Sequence, residues 1–444
     1  MGSRAKQRNG LGHEFMSERR RERGTTILIV AVGMISMLAM LALAIDVVSL
    51  YVAEGDAQRA ADAAALAGAK VFVSSGFTSG QLGDPTSGTA QGLVCNGSTG
   101  LADLEAQTVA NSNPIAGVAA TTITTSCTWA TSNPQITVTV QRTGLPTLFA
   151  RIWGARIVSV TRSAKAEAYN PSGQSVPIQV RYVKPWLIPN CDATCASGGF
   201  YFDSNYNIVG NGGAFLGHTV LFTPIDANSG TAPALPLPTS VQYYALNIPI
   251  SPPTPICPST NAVSCSNLGT GGPHAPYREN IACSGTFRFS CGQNIGAGQL
   301  VTVDTDSAAV IQNTTVEGTE CRIHADSTGP GLGQDNIISS AVGAPVTIAG
   351  GYNNPNSALR TATSISRSDS VVTVPVYNGT NLCPGGTCTG SAQVIGFLQL
   401  GIQSVSPAAG ISAVILNAAG CNPANSGNAI NGGGVSPIPV RLIQ

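Results

Sequence analysis

Charge is scarce in this chain. Of its 444 residues only 10% are Asp, Glu, Lys or Arg, and the formal net charge is +0. A protein that holds nucleic acid needs a basic face to neutralise phosphates, so no nucleic-acid partner is expected. Aromatic residues are also few, at 5%, whereas Gly (51) and Pro (28) abound. That mix favours short strands joined by many turns. The sequence lacks a His-Glu-x-x-His helix, a Gly-x-Ser-x-Gly elbow and a phosphate loop. His218 lies in an apolar island, His274 in a proline-flanked turn, and His324 beside Asp326. With no catalytic spacing among them, the chain is expected to be no enzyme and to need no cofactor or metal. Asp304-Thr-Asp306-Ser307 offers alternating oxygens for a hard cation but lacks the glycine and distal glutamate of a calcium loop.

The longest absence of charge is local. Between Thr25 and Ile45 no residue is charged. About 21 residues at ~1.5 Å rise cross a hydrocarbon core of roughly 30 Å, and inside lipid only a helix satisfies its own backbone. The predicted anchor surface includes Ile27, Leu28, Val32, Leu38, Leu41, Leu43 and Ile45. Arg4, Lys6, Arg8, Arg19, Arg20, Arg21 and Arg23 precede the run, and the nearest charges after it are Asp46, Glu54 and Asp56. Basic residues stay on the cytoplasmic side, which predicts a single-pass inner-membrane protein with its N-terminus inside and its body exported. Ala42-Leu43-Ala44 has the small-x-small form of a signal cleavage site. The run is longer than a signal core, however, and Ile45, Val48, Val52, Ala60, Ala64 and Ala67 continue its helical period, so the helix is expected to stay attached.

The continuation is rich in alanine: Gln58-x-Ala60-Ala61-Asp62-Ala63-Ala64-Ala65-Leu66-Ala67-Gly68-Ala69. Alanine combines the best helix propensity with a small side chain, so Ala60, Ala64, Ala67 and Leu66 form a flat strip. The strip serves either as a stiff stalk or as a surface against which another element packs. Arg59 and Asp62 are spaced to pair on the solvent side. Together with Arg23-Gly24 and Asp46-Val47-Val48-x-Leu50-Tyr51, this box resembles the N-terminal segment of TadE/TadG-like proteins of the Flp (tight-adherence) pilus. The resemblance implies a membrane-anchored, non-enzymatic pilus-assembly component whose partners are the membrane and other Tad/Flp proteins. Orientation is expected to rest on Arg19, Arg20, Arg21 and Arg23, depth on Asp46, which is costly in the core and cheap at the membrane exit, and packing on the strip around Asp62 and Leu66. Pilin-like relatives carry a glutamate five residues after the cleavage glycine, but the fifth residue after Gly24 is Ile29, which favours the TadG-like reading with an uncleaved anchor. The Asp-x-Ser-x-Ser pattern of metal-dependent adhesive relatives is missing too.

All 12 cysteines follow the apolar run, the first being Cys95. An even count confined to the exported part predicts disulfides in an oxidising compartment. Neighbours offer the candidate pairs Cys191/Cys195, Cys257/Cys265, Cys283/Cys291 and Cys383/Cys388, although sequence does not fix connectivity. A zinc site at Cys191 and Cys195 would need a second Cys/His pair at finger spacing, and none follows.

The expected fold is α+β. It comprises a cytoplasmic tail (1–24), a transmembrane helix (25–45), a stalk helix (46–75), a small pilin-like α+β domain (76–170) and a β-rich, disulfide-containing region (171–444). Within the small domain, 76–100 reads as a loop, 101–110 as a helix, 121–129, 135–142 and 157–169 as strands, and 147–154 as a short helix with Phe149, Ile152 and Trp153 on one face. Further strands are expected at 176–183, 199–202, 215–222, 241–250, 300–304, 371–377, 392–405, 411–416 and 440–443. Two other functions compete: a tethered surface adhesin, and an exported carbohydrate-active hydrolase, which would require convergent carboxylates or a nucleophile–base pair.

Overall fold

A computed structural model describes residues 12–75, 88–129, 133–147, 149–150, 154, 157–172, 178–191, 199–209, 215–235, 239–250, 257, 265, 274–283, 285, 287–325, 333–339, 345–421, 430–432 and 436–443. The chain divides into two compact units. One comprises Met1–Ala60, Ala110–Ile123 and Val140–Arg162, the other Ala61–Val109, Thr124–Thr139 and Ser163–Gln444.

The fold is α+β. It begins with one continuous helix, α1 (Gly12–Ser74), whose 63 residues hold both the uncharged run and the alanine box. Two shorter helices follow, α2 (Gly88–Val94) and α3 (Leu101–Asn111). The expected loop at 76–100 is thus corrected at 88–94, where seven residues form about two turns of helix. Strands β1 (Thr122–Trp129), β2 (Pro134–Pro146) and β3 (Ile157–Ala168) then build a small sheet. The proposed helix at 147–154 lies largely outside the described residues, Ile152 and Trp153 included.

The larger region contributes β4 (Ile178–Arg181), β5 (Trp186–Pro189), β6 (Thr219–Pro224) and β7 (Ser240–Asn247). After helix α4 (Ala275–Ala282) come β8 (Arg288–Ser290), β9 (Asn294–Gly296) and β10 (Thr302–Val303). Helix α5 (Ala308–Ile323) precedes β11 (Asn336–Ile338), β12 (Thr347–Ala349) and β13 (Val371–Tyr377). The chain then forms β14 (Ser391–Ser406), β15 (Gly410–Gly420), β16 (Ile430–Gly432) and β17 (Val440–Ile443). β17 joins the small sheet in the order β1-β2-β3-β17. The expected strand at 199–202 is not one; Phe202 makes only an isolated bridge to Ile208.

Six strands close on themselves. β5 pairs with β13, β13 with β14, β14 with β15, β15 with β6, β6 with β7, and β7 returns to β5. A closed ring leaves few free edges for unwanted pairing. Along it, alternate residues such as Val372, Val374, Val376, Leu398, Leu400 and Ile402 share one core with Ile311 and Ile323 of α5. The other face buries Val371, Val414 and Leu416 with Ile337 and Ile348 of the β11–β12 hairpin. Covered on both faces, β13 is buried at every residue, and Val-Val-Thr-Val-Pro-Val-Tyr reads as a continuous apolar run.

Helix α5 is the main element unforeseen in the β-rich region. Its buried residues include Ile311, Thr315, Val316, Thr319 and Arg322, so they surround the helix and leave no amphipathic stripe to read. Close approach of α4 requires Gly318, where an added Cβ would fall 2.9 Å from Ile281 Cβ. The Thr315 hydroxyl bonds to those of Tyr243 (3.1 Å) and Tyr277 (3.0 Å).

Disulfide connectivity corrects two of the neighbour pairs. Cys257 joins Cys283, Cys265 joins Cys321 and Cys291 joins Cys421, so the bonds staple α4, α5 and the end of β15 rather than closing short loops. Cys383 does join Cys388, and Cys95 joins Cys127. Cys191 is also disulfide-bonded, and Cys195 lies outside the described residues.

Candidate functional site: the anchor helix and its polar exit

The first part of α1 displays an apolar surface. Ile27 is 71% exposed, Leu38 63% and Leu41 63%, and Leu28, Val32, Leu43 and Ile45 are exposed as well. Large apolar side chains displayed around a helix have no favourable home in water, where each would contribute roughly 1.5–3 kcal/mol if buried. The helix is long and apolar enough to cross a membrane. Arg19, Arg20, Arg21 and Arg23 fall within the helix, and their side chains lie outside the described residues.

At the end of the uncharged run, Asp46 is 2% exposed. One oxygen of its carboxylate accepts from the backbone N–H groups of Phe149 (2.9 Å) and Ala150 (2.6 Å). Two charge-assisted hydrogen bonds offset much of the cost of removing the carboxylate from water. Asp46, which ends the uncharged run, thus holds residues 149 and 150, between β2 and β3, against the helix, and only the spatial fold reveals those partners. Beyond it, Ala53, Ala57 and Ala60 continue the same face and are buried, while Glu54 bonds Arg162 at 2.6 Å and Asp56 accepts the Ala116 N–H at 3.1 Å. Arg59 pairs with Asp56, one turn back, rather than with Asp62 as its spacing had allowed.

The alanine box proves to be a packing surface. Ala60, Ala61, Ala64, Ala65 and Ala69 are fully buried, whereas Leu66, Ala67 and Asp62 are half-buried. The buried strip is therefore rotated from the expected one, because α3 and β2 meet the helix at Gly68. A Cβ there would fall 2.7 Å from Ile136 Cδ1 and 3.4 Å from Ala106 Cβ.

Asp103, Cys95 and Cys127 cluster like metal ligands. The two sulfurs bond each other, which removes their thiolates. Asp103 is spent on amides: it accepts from Asn96 (2.8 Å), Gly97 (3.0 Å) and Gly100 (3.1 Å), the reach-back of a helix-capping residue at the start of α3.

A second polar group lies within the larger unit. Fully buried Lys184 donates to the carbonyls of Cys283 (2.7 Å) and Asn280 (3.2 Å) at the end of α4. Burial, reinforced by the charge of Arg322, holds Lys184 well below the usual lysine range. Asp369 bonds His324 at 3.0 Å and Arg322 at 3.3 Å. Burial alone would raise the Asp369 carboxyl, but the His324 hydrogen bond and the Arg322 charge together lower it. His274 contacts Asp306, whose own N–H bonds Asp304 at 3.0 Å in a local turn.

These features define a helix-anchored protein with a β-ring body. Residues 24–71 match the family model described as putative Flp pilus-assembly TadE/G-like. The chain thus carries a Tad-type segment and has a membrane-anchoring N-terminal helix. Neither a curated protein nor a solved structure matches the chain.

Proposed function

We propose that this protein is a non-enzymatic, permanently anchored component of a Flp-type pilus-assembly system, with its N-terminus in the cytoplasm and its β-ring unit exported to meet other pilus or secretion components. The observation that carries the reading is the Tad-type match over residues 24–71, laid on an exposed apolar helix. Two further facts support the orientation. Arginines precede the apolar run and acidic residues follow it. The body contains five disulfides among the described residues, a usage that belongs to oxidising compartments. Ile29, where processed pilins carry glutamate, supports an uncleaved anchor.

The test combines gene deletion with protease protection. Loss of the gene is expected to abolish surface pili, with recovery on re-expression of the intact chain. In spheroplasts, added protease should digest the body and leave an N-terminal tag untouched. Normal piliation in the deletion strain, or a tag digested from outside, would contradict the proposal.

A further inference from the structure

We infer that two copies of this chain pair in the membrane through one stripe of α1, as parallel helices in register, and that the contact continues past the membrane exit to Arg59. The inference rests on the anchoring reading of α1 and adds the partner that covers the helix beyond the lipid.

The stripe follows a seven-residue repeat. With Ile27 at position a of a heptad written abcdefg, Ile27, Val30, Met34, Met37, Leu41 and Ala44 fill the a and d positions, and all are exposed. Within lipid any register would be apolar, so the turns after Asp46 decide between registers. There Val48 (61% exposed) and Gly55 take a, Tyr51 (70%) takes d, and Val52 (56%) flanks them at e. Such a cluster has no favourable home in water. Around Gly55 the space is open, with no atom within 4 Å of an added Cβ, so a neighbouring backbone can come close. The chain's own contacts use the opposite side of the helix: Asp46, Ala53 and Ala60 fall at f and Ala57 at c, and all are buried.

Charge identifies the occupant. In a parallel pair the g residue of one helix meets the e residue of the next heptad in the other, five places on. Glu54 stands at g and Arg59 at e. The Arg59 side chain is 78% exposed, and that of Glu54 is 40% exposed beside Arg162, so each can reach outward. Copies inserted with the same topology are parallel and at equal height, which brings Glu54 of each within reach of Arg59 of the other, and two-fold symmetry makes the contact twice. Glu54 and Arg59 lie ~12–20 Å along the axis from Asp46, past a headgroup layer of roughly 5–7 Å, where lipid no longer competes. The other faces of the spanning run remain with lipid.

The test uses the full chain in membranes of cells that co-express it with two different epitope tags. The photocrosslinker p-benzoylphenylalanine is placed at position 51 or, separately, at position 49, an exposed b site. A product carrying both tags is expected from 51 and little from 49. Arg59→Glu should cut the product from 51 about five-fold, because two exposed attractions become repulsions, and Glu54→Lys/Arg59→Glu should restore it. Equal products from 49 and 51, or a product from 51 that joins one tag to another protein, would overturn the pairing and leave the anchor standing. An unchanged yield in Arg59→Glu, or no recovery in a double variant that still melts normally, would overturn the register. Loss of the chain from carbonate-washed membranes would overturn the anchor and the inference with it.

Discussion

The two halves of α1 invert the usual relation between size and burial. From Ile27 to Val52 large apolar side chains such as Ile27, Leu38, Leu41 and Val48 are exposed, whereas farther along Ala60, Ala61, Ala64, Ala65 and Ala69 are fully buried. Water alone would drive Leu and Ile inward before Ala. The inversion makes sense if the lower half has a different solvent. Lipid tails are as apolar as leucine and demand only that the backbone be satisfied, which a helix achieves by itself. The upper half instead sits against protein, where small side chains let α3 and β2 approach to the distance that Gly68 permits. Uniform helical geometry thus carries two surfaces, and side-chain size decides which is which.

The comparison breaks most strongly if a charge enters the lower half. Leu38→Arg should disfavour insertion by roughly 2.5–3.5 kcal/mol, seen as a lower membrane-bound fraction and a normally folded body. Next in size, Ala64→Leu in the upper half should overpack a fully buried position and destabilise the fold by about 1–3 kcal/mol, read from the thermal unfolding of the purified chain in detergent. The sharpest contrast is its mirror image, Leu38→Ala. That change removes as much apolar volume as Ala64→Leu adds, yet should shift unfolding by no more than ~0.5 kcal/mol, because no protein core loses contacts there. Equal destabilisation by Ala64→Leu and Leu38→Ala would erase the distinction.

The β-ring unit adds a contrast of its own, since it buries charge where the anchor excludes it. Lys184 has its pKa lowered by burial, so the unfolded chain binds more protons than the native one between the folded value and the ordinary lysine value. Its contribution to stability should therefore rise with pH across that window, until tyrosines of the unfolded chain begin to ionise near pH ~10. Lys184→Met should remove this slope in denaturant melts. Its net effect at neutral pH should stay within about 1 kcal/mol, as relief of a desolvated charge offsets two unpaired carbonyls. An unchanged slope in the variant would show that another group carries it.

Much of this was legible in the sequence. The anchor declared itself by missing charge, β13 by its run of β-branched residues and β17 by a short strand-length patch, and the ends of both coincide with the strands found. α5 was hidden because Thr314, Thr315, Gly318 and Thr319 are poor helix formers, and because burial all round leaves no period. Disulfide partners such as Cys291 and Cys421 are 130 residues apart, and nothing in local spacing links them. Asp46 was visible as the residue that ends the run. Its amide partners, 103 and 104 residues on, became visible only once β2 and β3 were laid beside the helix. Local chemistry writes itself into sequence; pairing across a hundred residues does so faintly.

The account stands most directly on the state of α1 in its native membrane. Membranes containing the full chain should be extracted with alkaline carbonate, and the protein in the pellet analysed by intact-mass spectrometry. The account predicts a chain that stays with the pellet and retains the residues before Gly24. Release into the supernatant, or a mature chain beginning at Thr25 or Ile45, would contradict it.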